Sequence, residues 1–173
     1  LMTKVIKDLG LETDIYIPNF FKDTEVYGKS SPIIVKIVNE KETIKPISPI
    51  HLTMKGEDLV LYSENIGNVK SRYNKLISLP NANIIIFKNK NYIPDPKLPI
   101  KELLLSVSSL DAKTKSYQLK LNADLVNKDV TVIKLSMKYP NVDKAKDIIN
   151  YLIEVYNAEA INDKNEESKK TAE

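Results

Sequence analysis

The chain has 173 residues, of which 42% are hydrophobic, and this is enough for one domain with a hydrophobic core. Its 26 basic and 23 acidic residues leave a formal charge of only +3, and Arg72 is the single arginine. Nucleic-acid surfaces favour arginine and a concentrated positive charge, so the composition argues against nucleic acid as a partner. Cysteine is absent, which excludes disulfides, thiolate nucleophiles and cysteine-based metal sites.

Residues 1–10 have the pattern of the end of a helix. Val5, Ile6 and Leu9 share one helical face, and Gly10 can close the helix in the left-handed conformation. No stretch approaches the roughly 20 apolar residues that cross a bilayer, and no charged-then-apolar leader opens the chain. We therefore expect a helix that is already under way at residue 1, in a segment excised from a longer protein.

Residues 11–99 predict a β-rich region, because short alternating or apolar runs end at turn residues. Gly56 is expected in a hairpin turn between two of the strands. The three prolines between Asn89 and Pro99 exclude a central strand or a helix there and predict a loop. The expected strands are Asp14–Ile17, Glu25–Tyr27, Pro32–Val38, Ile50–Met54, Leu59–Tyr62, Val69–Tyr73 and Asn83–Phe87.

Residues 100–138 predict a strand, a helix and two further strands. The first strand is expected at Glu102–Val107, and Ser109 can cap a helix that runs to about Tyr117. Two alternating runs then predict a pair of half-buried strands with a turn near residues 127–129. Their expected inward residues are Leu119, Leu121, Ala123 and Leu125 in the first strand, and Thr131, Ile133, Leu135 and Met137 in the second.

Residues 141–173 predict an amphipathic helix, which Pro140 keeps from extending backward and Asn141 is suited to cap. After Ile161 the sequence keeps helix-forming residues but loses its apolar face, so this extension either frays or projects toward partners outside the domain. The expected apolar stripe consists of Val142, Ala145, Ile149, Leu152 and Tyr156, widened by Ile148 and Val155.

These elements predict an α+β fold in a single domain over residues 1–173. A mixed β-sheet base domain is expected to carry flanking helices. The C-terminal amphipathic helix is expected to begin a longer projecting helix.

The search for chemistry predicts no catalytic, cofactor-binding or metal site, and hence no enzyme. His51 is the only histidine, which excludes Ser-His pairs and multi-histidine metal sites, and we expect it to be an ordinary surface histidine. The four glycines are isolated, so no phosphate-binding loop can form locally. Tyr62, Tyr73 and Tyr117 lie in or beside predicted elements and are expected in the core rather than on a sugar platform.

The C-terminal passage carries a resemblance to a known family. Residues 120–125 and 132–137, followed by Tyr139-Pro140-Asn141 and by Ala145 through Tyr156-Asn157, resemble its two strands and its D-P-N-P-x-x-A and L-x-x-x-Y sequence. This is the chain-length determinant (Wzz) family of polysaccharide co-polymerases, especially the branch fused to a cytoplasmic tyrosine autokinase. Tyr139 stands where the family often has aspartate, and Val142 where it often has a second proline.

The front of the chain is similar to the same family, and the middle matches it only loosely. Residues 5–11, Glu25-Val26-Tyr27 and Ser31-Pro32-Ile33 resemble the family's helix end and its E-L-Y…S-P strand start. Four positions match the C-terminal motif, and we expect them to have structural rather than catalytic roles. They are Pro140, Asn141, Ala145 and Tyr156.

The resemblance implies a non-catalytic extracytoplasmic scaffold of a membrane-anchored protein. Such a scaffold forms homo-oligomers and regulates chain length in capsular polysaccharide, exopolysaccharide or lipopolysaccharide biosynthesis and export. Its implied partners are the polymerase, the nascent polysaccharide and the cytoplasmic membrane, which flanking transmembrane helices would cross. No cofactor is implied, and any tyrosine kinase domain would belong to the parent chain outside these residues.

The final helix is the expected self-association surface, with Asp147, Glu154, Lys164 and Lys169 on its exposed sides. An alternative from a different class of protein remains open. It is a carbohydrate-binding or adhesin-like module that recognises glycan through surface tyrosines.

Overall fold

The computed structural model describes residues 1–42, 47–127 and 130–170, and it has a mixed helical and strand content. The α+β class is therefore confirmed at this coarse level. The chain forms two compact units, one of Gly10–Ser109 and the other of Leu1–Leu9 with the chain from Leu110 onward. Compactness does not test whether a unit folds independently, so the single-domain expectation stays a prediction.

The Gly10–Ser109 unit is built from strands, with one short 3-10 turn at Gly28–Ser30. Every predicted strand of this unit overlaps an observed one, and among the residues described here the strand at Leu76–Ser78 alone was missed. The strands are β1 (Thr13–Ile17), β2 (Thr24–Val26), β3 (Ile33–Glu40), β4 (Ile50–Lys55), β5 (Asp58–Ser63), β6 (Gly67–Arg72), β7 (Leu76–Ser78), β8 (Ala82–Lys88) and β9 (Leu103–Val107).

These strands form two antiparallel sheets, one ordered β2-β1-β9-β4-β5-β6 and the other β3-β8-β7. The inward side chains of both sheets belong to one buried hydrophobic cluster, as expected for sheets that pack face to face. Alternation along the strands explains this arrangement, since successive side chains point to opposite faces. The innermost residues include Ile33, Ile50, Leu52, Leu59, Leu61, Ile84, Ile86, Leu103 and Leu105.

Gly56 lies in the tight turn that joins β4 to β5. The last register pair before the turn joins Lys55 to Asp58, so only two residues form the loop. Gly56 has φ +62, a conformation that residues with a Cβ adopt at a cost. The predicted hairpin turn is therefore confirmed.

The second unit consists of helices and one two-stranded ribbon. Gly10, at φ +64, follows the first helix and confirms the expected left-handed closure. Asn141 Oδ1 accepts a hydrogen bond from the Lys144 amide at 3.0 Å, which confirms the predicted cap of the last helix. The elements are α1 (Met2–Leu9), α2 (Leu110–Lys120), β10 (Leu121–Asn127), β11 (Val130–Met137) and α3 (Val142–Lys170).

The prediction that the ribbon of β10 and β11 is half-buried was correct at the end where β10 begins and β11 ends, since Leu121, Leu135 and Met137 are half-buried, and it was wrong farther along the ribbon. Leu125 and Ile133 pair across the strands and are 67% and 57% exposed, and Val126 and Val132 are exposed as well. Leu119, expected in the first strand, lies in α2 and is exposed. Alternation predicts a strand with two unlike faces, but burial also requires a second layer to cover one face. Most of the expected turn at residues 127–129, and the Thr131 side chain, lie outside the described part of the chain.

The apolar stripe predicted for α3 is rotated relative to its buried face. Ala145, Ile148, Leu152 and Val155 are buried, whereas Val142 and Tyr156 are 61% and 58% exposed. In the residues that the structure describes, no helix is both long and apolar enough to cross a membrane.

Candidate functional site

A row of side chains crosses the outer face of the six-stranded sheet. The strand register joins Tyr16 to Leu104, Leu104 to His51, His51 to Tyr62, and Tyr62 to Asn68. Side chains directly opposite each other on paired strands point to the same face, so these five side chains lie in line on β1, β9, β4, β5 and β6. Their sequence neighbours are mostly buried in the core, so the row faces away from it.

Tyr62 is the most informative residue of this row. It is 47% exposed, so the prediction that places it in the core was wrong, whereas Tyr73 and Tyr117 are buried as expected. Tyr62 occupies an outward position of β5, between the buried Leu61 and Ser63. The position of Tyr62 in a predicted strand does not show which way its ring faces. The alternation of inward and outward residues along β5 could have predicted that the ring faces outward.

His51 lies beside Tyr62 and contacts a carboxylate. Its Nδ1 is 2.9 Å from Glu102 Oε1, and the two side chains are 46% and 38% exposed, which confirms the expectation of a surface histidine. The imidazole and Tyr62 ring centroids are 6.5 Å apart, with the planes tilted by 48°. The carboxylate orients the imidazole, while solvent weakens the ion pair that forms when His51 is protonated.

A shallow cavity of about 360 Å³ opens next to the two rings. Apolar Leu104 and Pro49 line it together with polar Ser48 and Glu64. Its full lining comprises Ser48, Pro49, His51, Tyr62, Ser63, Glu64 and Leu104. An aromatic face beside hydroxyl and carboxylate acceptors can bind a molecule that has one apolar face and many hydroxyl groups.

The geometry offers no nucleophile and base pair in the described residues. The hydrogen bond of His51 goes to Glu102, and none joins its ring to a serine hydroxyl. Within the same residues, no three histidine, aspartate or glutamate side chains cluster closely enough to hold a metal ion. What the arrangement supports chemically is binding. The expected absence of enzyme activity and of cofactors stays a prediction.

A second cluster, in the helical unit, joins the end of α2 to the start of α3. The rings of Tyr117 and Tyr139 lie 5.7 Å apart, and Lys120 Nζ is 4.8 Å from the centroid of Tyr139. Lys144 Nζ, in the first turn of α3, is 5.6 Å from the same ring, and its residue is only 2% exposed. These cation–π contacts give Tyr139 a structural role. Sequence reasoning missed the cluster because its members are distant in the chain.

The predicted association residues lie on α3. Asp147, Glu154 and Lys164 are exposed, and the side chain of Lys169 lies outside the described part of the chain. Of the family-motif positions, Pro140 and Tyr156 are exposed, Asn141 is the cap and Ala145 is buried. Exposure alone does not test association, so these roles stay predictions.

The two helices at the ends of the described chain contact each other. The Tyr151 hydroxyl donates to Asp8 Oδ2 at 2.9 Å, and Lys4 Nζ contacts the same oxygen at 2.6 Å. The Lys4 hydrogen bond, followed by the one from Tyr151, lowers the pKa of the Asp8 carboxyl. The hydrogen bond to Asp8 in turn raises the pKa of Tyr151. These contacts fix α1 alongside the middle of α3.

The fold and its sites define a class: an α+β protein with a long, largely exposed helix and an aromatic surface row. No protein-family model matches the chain, and no curated protein matches it as a relative. The resemblance to the chain-length determinant family therefore stays a prediction.

Proposed function

We propose that this chain is a non-catalytic extracytoplasmic scaffold of a membrane-anchored polysaccharide co-polymerase. In this role it associates with copies of itself on the outer side of the cytoplasmic membrane, and it regulates the chain length of a surface or secreted polysaccharide. The observation that carries the proposal is α3, which continues as a helix to Lys170. Among the side chains that the structure describes, its last buried one is Val155.

The length of α3 beyond its buried part supports the need for a partner. At about 1.5 Å per residue, the helix is about 43 Å long, and about 22 Å of it follows Val155. A solitary helix of that length is marginal in water, and most helical stability in proteins comes from packing. We take α3 as the root of a longer projecting helix, with the sheets and the other helices as its base.

An exposed apolar seam on α3 supports self-association. Ile149, Ile153, Tyr156 and Ala160 follow each other at four- and three-residue intervals, which is the spacing of helices that pack along one another. Ile153 and Tyr156 are 42% and 58% exposed, and the other two are half-buried. Such a seam fits the matching seam of another copy. Charged residues beside it, such as Lys164, would set the register of the copies.

The mechanism that we propose is geometric. Copies associate through the base and the helices, and the assembly holds the polymerase or the nascent glycan long enough to set a length distribution. No bond is made or broken in this role, which is consistent with a site whose chemistry is limited to binding.

Cysteine cross-linking is the sharpest test, because the chain has no cysteine of its own. We expect Ile153→Cys or Tyr156→Cys, in the full-length protein in its own membrane, to give cross-linked copies on mild oxidation. Ala158→Cys, which is exposed but lies about 140° around the helix from Ile153, is the matched control and should cross-link far less.

The polysaccharide itself gives the functional measurement. Tyr156→Glu places a charge in the seam, so we expect a shifted distribution of polysaccharide lengths on an electrophoretic gel. An unchanged length distribution in cells that lack the protein would overturn the proposed function. Equal cross-linking at Ile153 and Ala158 would overturn the proposed seam.

A second function, recognition of glycan, is favoured by one specific observation. The exposed rings of His51 and Tyr62 lie beside hydrogen-bonding groups, and the cavity next to them admits a small ligand. Aromatic rings pack against the apolar face of a sugar, while carboxylates such as Glu102 accept hydrogen bonds from its hydroxyls.

Titration with defined oligosaccharides separates this function from the scaffold. A glycan-binding module should saturate, and Tyr62→Ala should weaken its binding by at least about tenfold. Tyr156→Ala removes a similarly exposed tyrosine from the other unit and should leave sugar affinity unchanged. Absence of saturation up to millimolar sugar would remove this second candidate and leave the scaffold proposal untouched.

A further inference from the structure

The hairpin of β1 and β2 ends in two adjacent phenylalanines that are almost completely exposed. Phe20 is 94% exposed and Phe21 is 95% exposed. Their rings contact each other edge to face, with centroids 5.0 Å apart and planes at 88°. Isolated apolar residues on a surface are common, but two neighbouring rings on a projecting turn form a patch that indicates an interaction.

Polar bonds beneath the rings close this turn. The side-chain Nδ2 of Asn19 donates a hydrogen bond to Thr24 Oγ1 at 2.9 Å. The backbone N–H of Asn19 donates a second one to Asp23 Oδ1 at 3.2 Å. These bonds hold the chain on both sides of the phenylalanines, so the rings stay at the apex instead of folding back onto the strands. A tip that is already ordered loses less conformational entropy when it binds.

The shape of the tip distinguishes between kinds of partner. A stable protein interface buries about 800 Å² on each side, whereas two phenylalanines supply about 150–250 Å² each. Their neighbours Asn19, Lys22 and Asp23 are exposed and polar, so the apolar patch ends with the two rings. A protein partner would require a larger complementary surface around this convex tip.

A lipid bilayer does not have that requirement, because its interface deforms around a projecting group. Aromatic side chains concentrate at the boundary between headgroups and acyl chains. Lys22, directly after the rings, can place its ammonium among lipid phosphates while its stem follows the rings inward. We propose that the tip of Phe20 and Phe21 inserts into the interfacial region of a phospholipid bilayer. This peripheral contact goes beyond the proposed scaffold and would hold without it.

Tryptophan fluorescence tests the insertion at the tip itself, because the chain has no tryptophan. Phe21→Trp introduces one indole, and vesicles of phosphatidylcholine and phosphatidylglycerol are the probe. We expect a blue-shifted emission with vesicles, and quenching when the lipids carry bromine near the top of the acyl chain. Ile93→Trp is the matched control, since Ile93 is 63% exposed in a loop of the same unit, and it should show neither change.

Co-sedimentation with the same vesicles measures affinity. Phe20→Ser combined with Phe21→Ser should weaken vesicle binding by at least about tenfold, because the buried apolar area supplies the attraction. Ile93→Ser should bind as the unaltered chain does. Both serine changes lie on the surface, so circular dichroism and thermal unfolding should be unchanged.

Three results would overturn the proposal. The first is that the unaltered chain does not sediment with vesicles at millimolar lipid. The second is that the double serine variant binds as well as the unaltered chain, which would assign the attraction to surface lysines. The third is that the emission of the Phe21→Trp variant shifts with protein concentration in the absence of lipid, which would identify a protein partner. Cross-linking along α3 is a separate measurement, so failure here is distinguishable from failure of the scaffold.

Discussion

The two compact units use their apolar residues differently. In the Gly10–Ser109 unit, both sheets place their inward residues in one shared core, and residues such as Leu61 and Leu103 have no exposed surface. In the helical unit, the ribbon of β10 and β11 leaves both of its faces largely exposed, and α3 exposes Ile153, Tyr156 and Ile161. The first unit places most of its apolar side chains in this core and exposes others singly or at the Phe20–Phe21 tip, whereas the second leaves apolar side chains exposed along a ribbon and a helix. The contrast therefore lies between a sheet core that is closed and a helical unit whose long elements are only partly covered.

The largest expected effect is in the sheet core. Leu61→Ala should lower the free energy of unfolding by about 2–5 kcal/mol, because it removes buried methyl groups and leaves a cavity. Leu76→Ala is the control, since Leu76 lies in the same unit but is 59% exposed, and its effect should stay within about 0.5 kcal/mol. Urea unfolding measures both values. Equal losses would mean that the core is not organised as described.

A smaller effect is expected at the cap of α3. Asn141→Ala should cost about 1 kcal/mol, because the Lys144 amide loses its side-chain acceptor. Asn157→Ala, at an exposed position within the same helix, should be neutral or slightly stabilising, since alanine is the better helix former. Chemical unfolding followed by far-ultraviolet circular dichroism compares the two variants. A larger loss at Asn157 than at Asn141 would contradict the cap.

The contact between α1 and α3 should respond to acid. Asp8 has its pKa lowered from an ordinary 3.8 by the hydrogen bonds from Lys4 and Tyr151, so it binds a proton more readily when unfolded. Its contribution to stability is therefore present above pH of about 4 and is lost as the pH falls through the lowered pKa. Thermal unfolding across this range should show a shallower acid dependence for Asp8→Asn. Asp163→Asn, an exposed aspartate of α3, should keep the original dependence.

The smallest effect is expected in the ribbon. Ile133→Thr should change the free energy of unfolding by less than about 0.5 kcal/mol, because Ile133 is 57% exposed and threonine also favours strands. The measurement is urea unfolding of the isolated chain at low concentration. A loss above about 2 kcal/mol would show that a layer covers the ribbon, and the contrast between the units would then fail.

Strands were predictable where apolar and polar residues alternate and one face of the strand is buried in the core. The runs at Ile50–Met54 and Leu59–Tyr62 fell within one residue of β4 and β5, because the core face repeats every second residue. The strand at Leu76–Ser78 was missed because it is three residues long, with only Ile77 buried, and so short a run shows no period. In the ribbon the same alternation predicted burial correctly for Leu121, Leu135 and Met137, which are half-buried, but not for Leu125 and Ile133.

The aromatic row was not predictable from the sequence, although its members lie in predicted strands. The row depends on β9 pairing between β1 and β4, which brings Leu104 between Tyr16 and His51. Such pairing joins residues about fifty to ninety positions apart, and local periodicity carries no information about it. The polar part of α3 remained open in the sequence because composition suits both a helix and a frayed end. The structure has a helix there to Lys170.

The outermost strands of the two sheets affect whether molecules of this protein can associate edge to edge. An unpaired strand edge can recruit the same edge of another molecule and so lead to open-ended fibres. Here β2 and β7 are only three residues long, β6 carries Lys70 and Arg72, and β3 has an irregular register near Ile37. Short length, charge and irregularity each discourage strand addition. Copies would therefore be less prone to polymerise through their sheets, which is compatible with the helix contacts proposed above, since such contacts can close into an assembly of limited size.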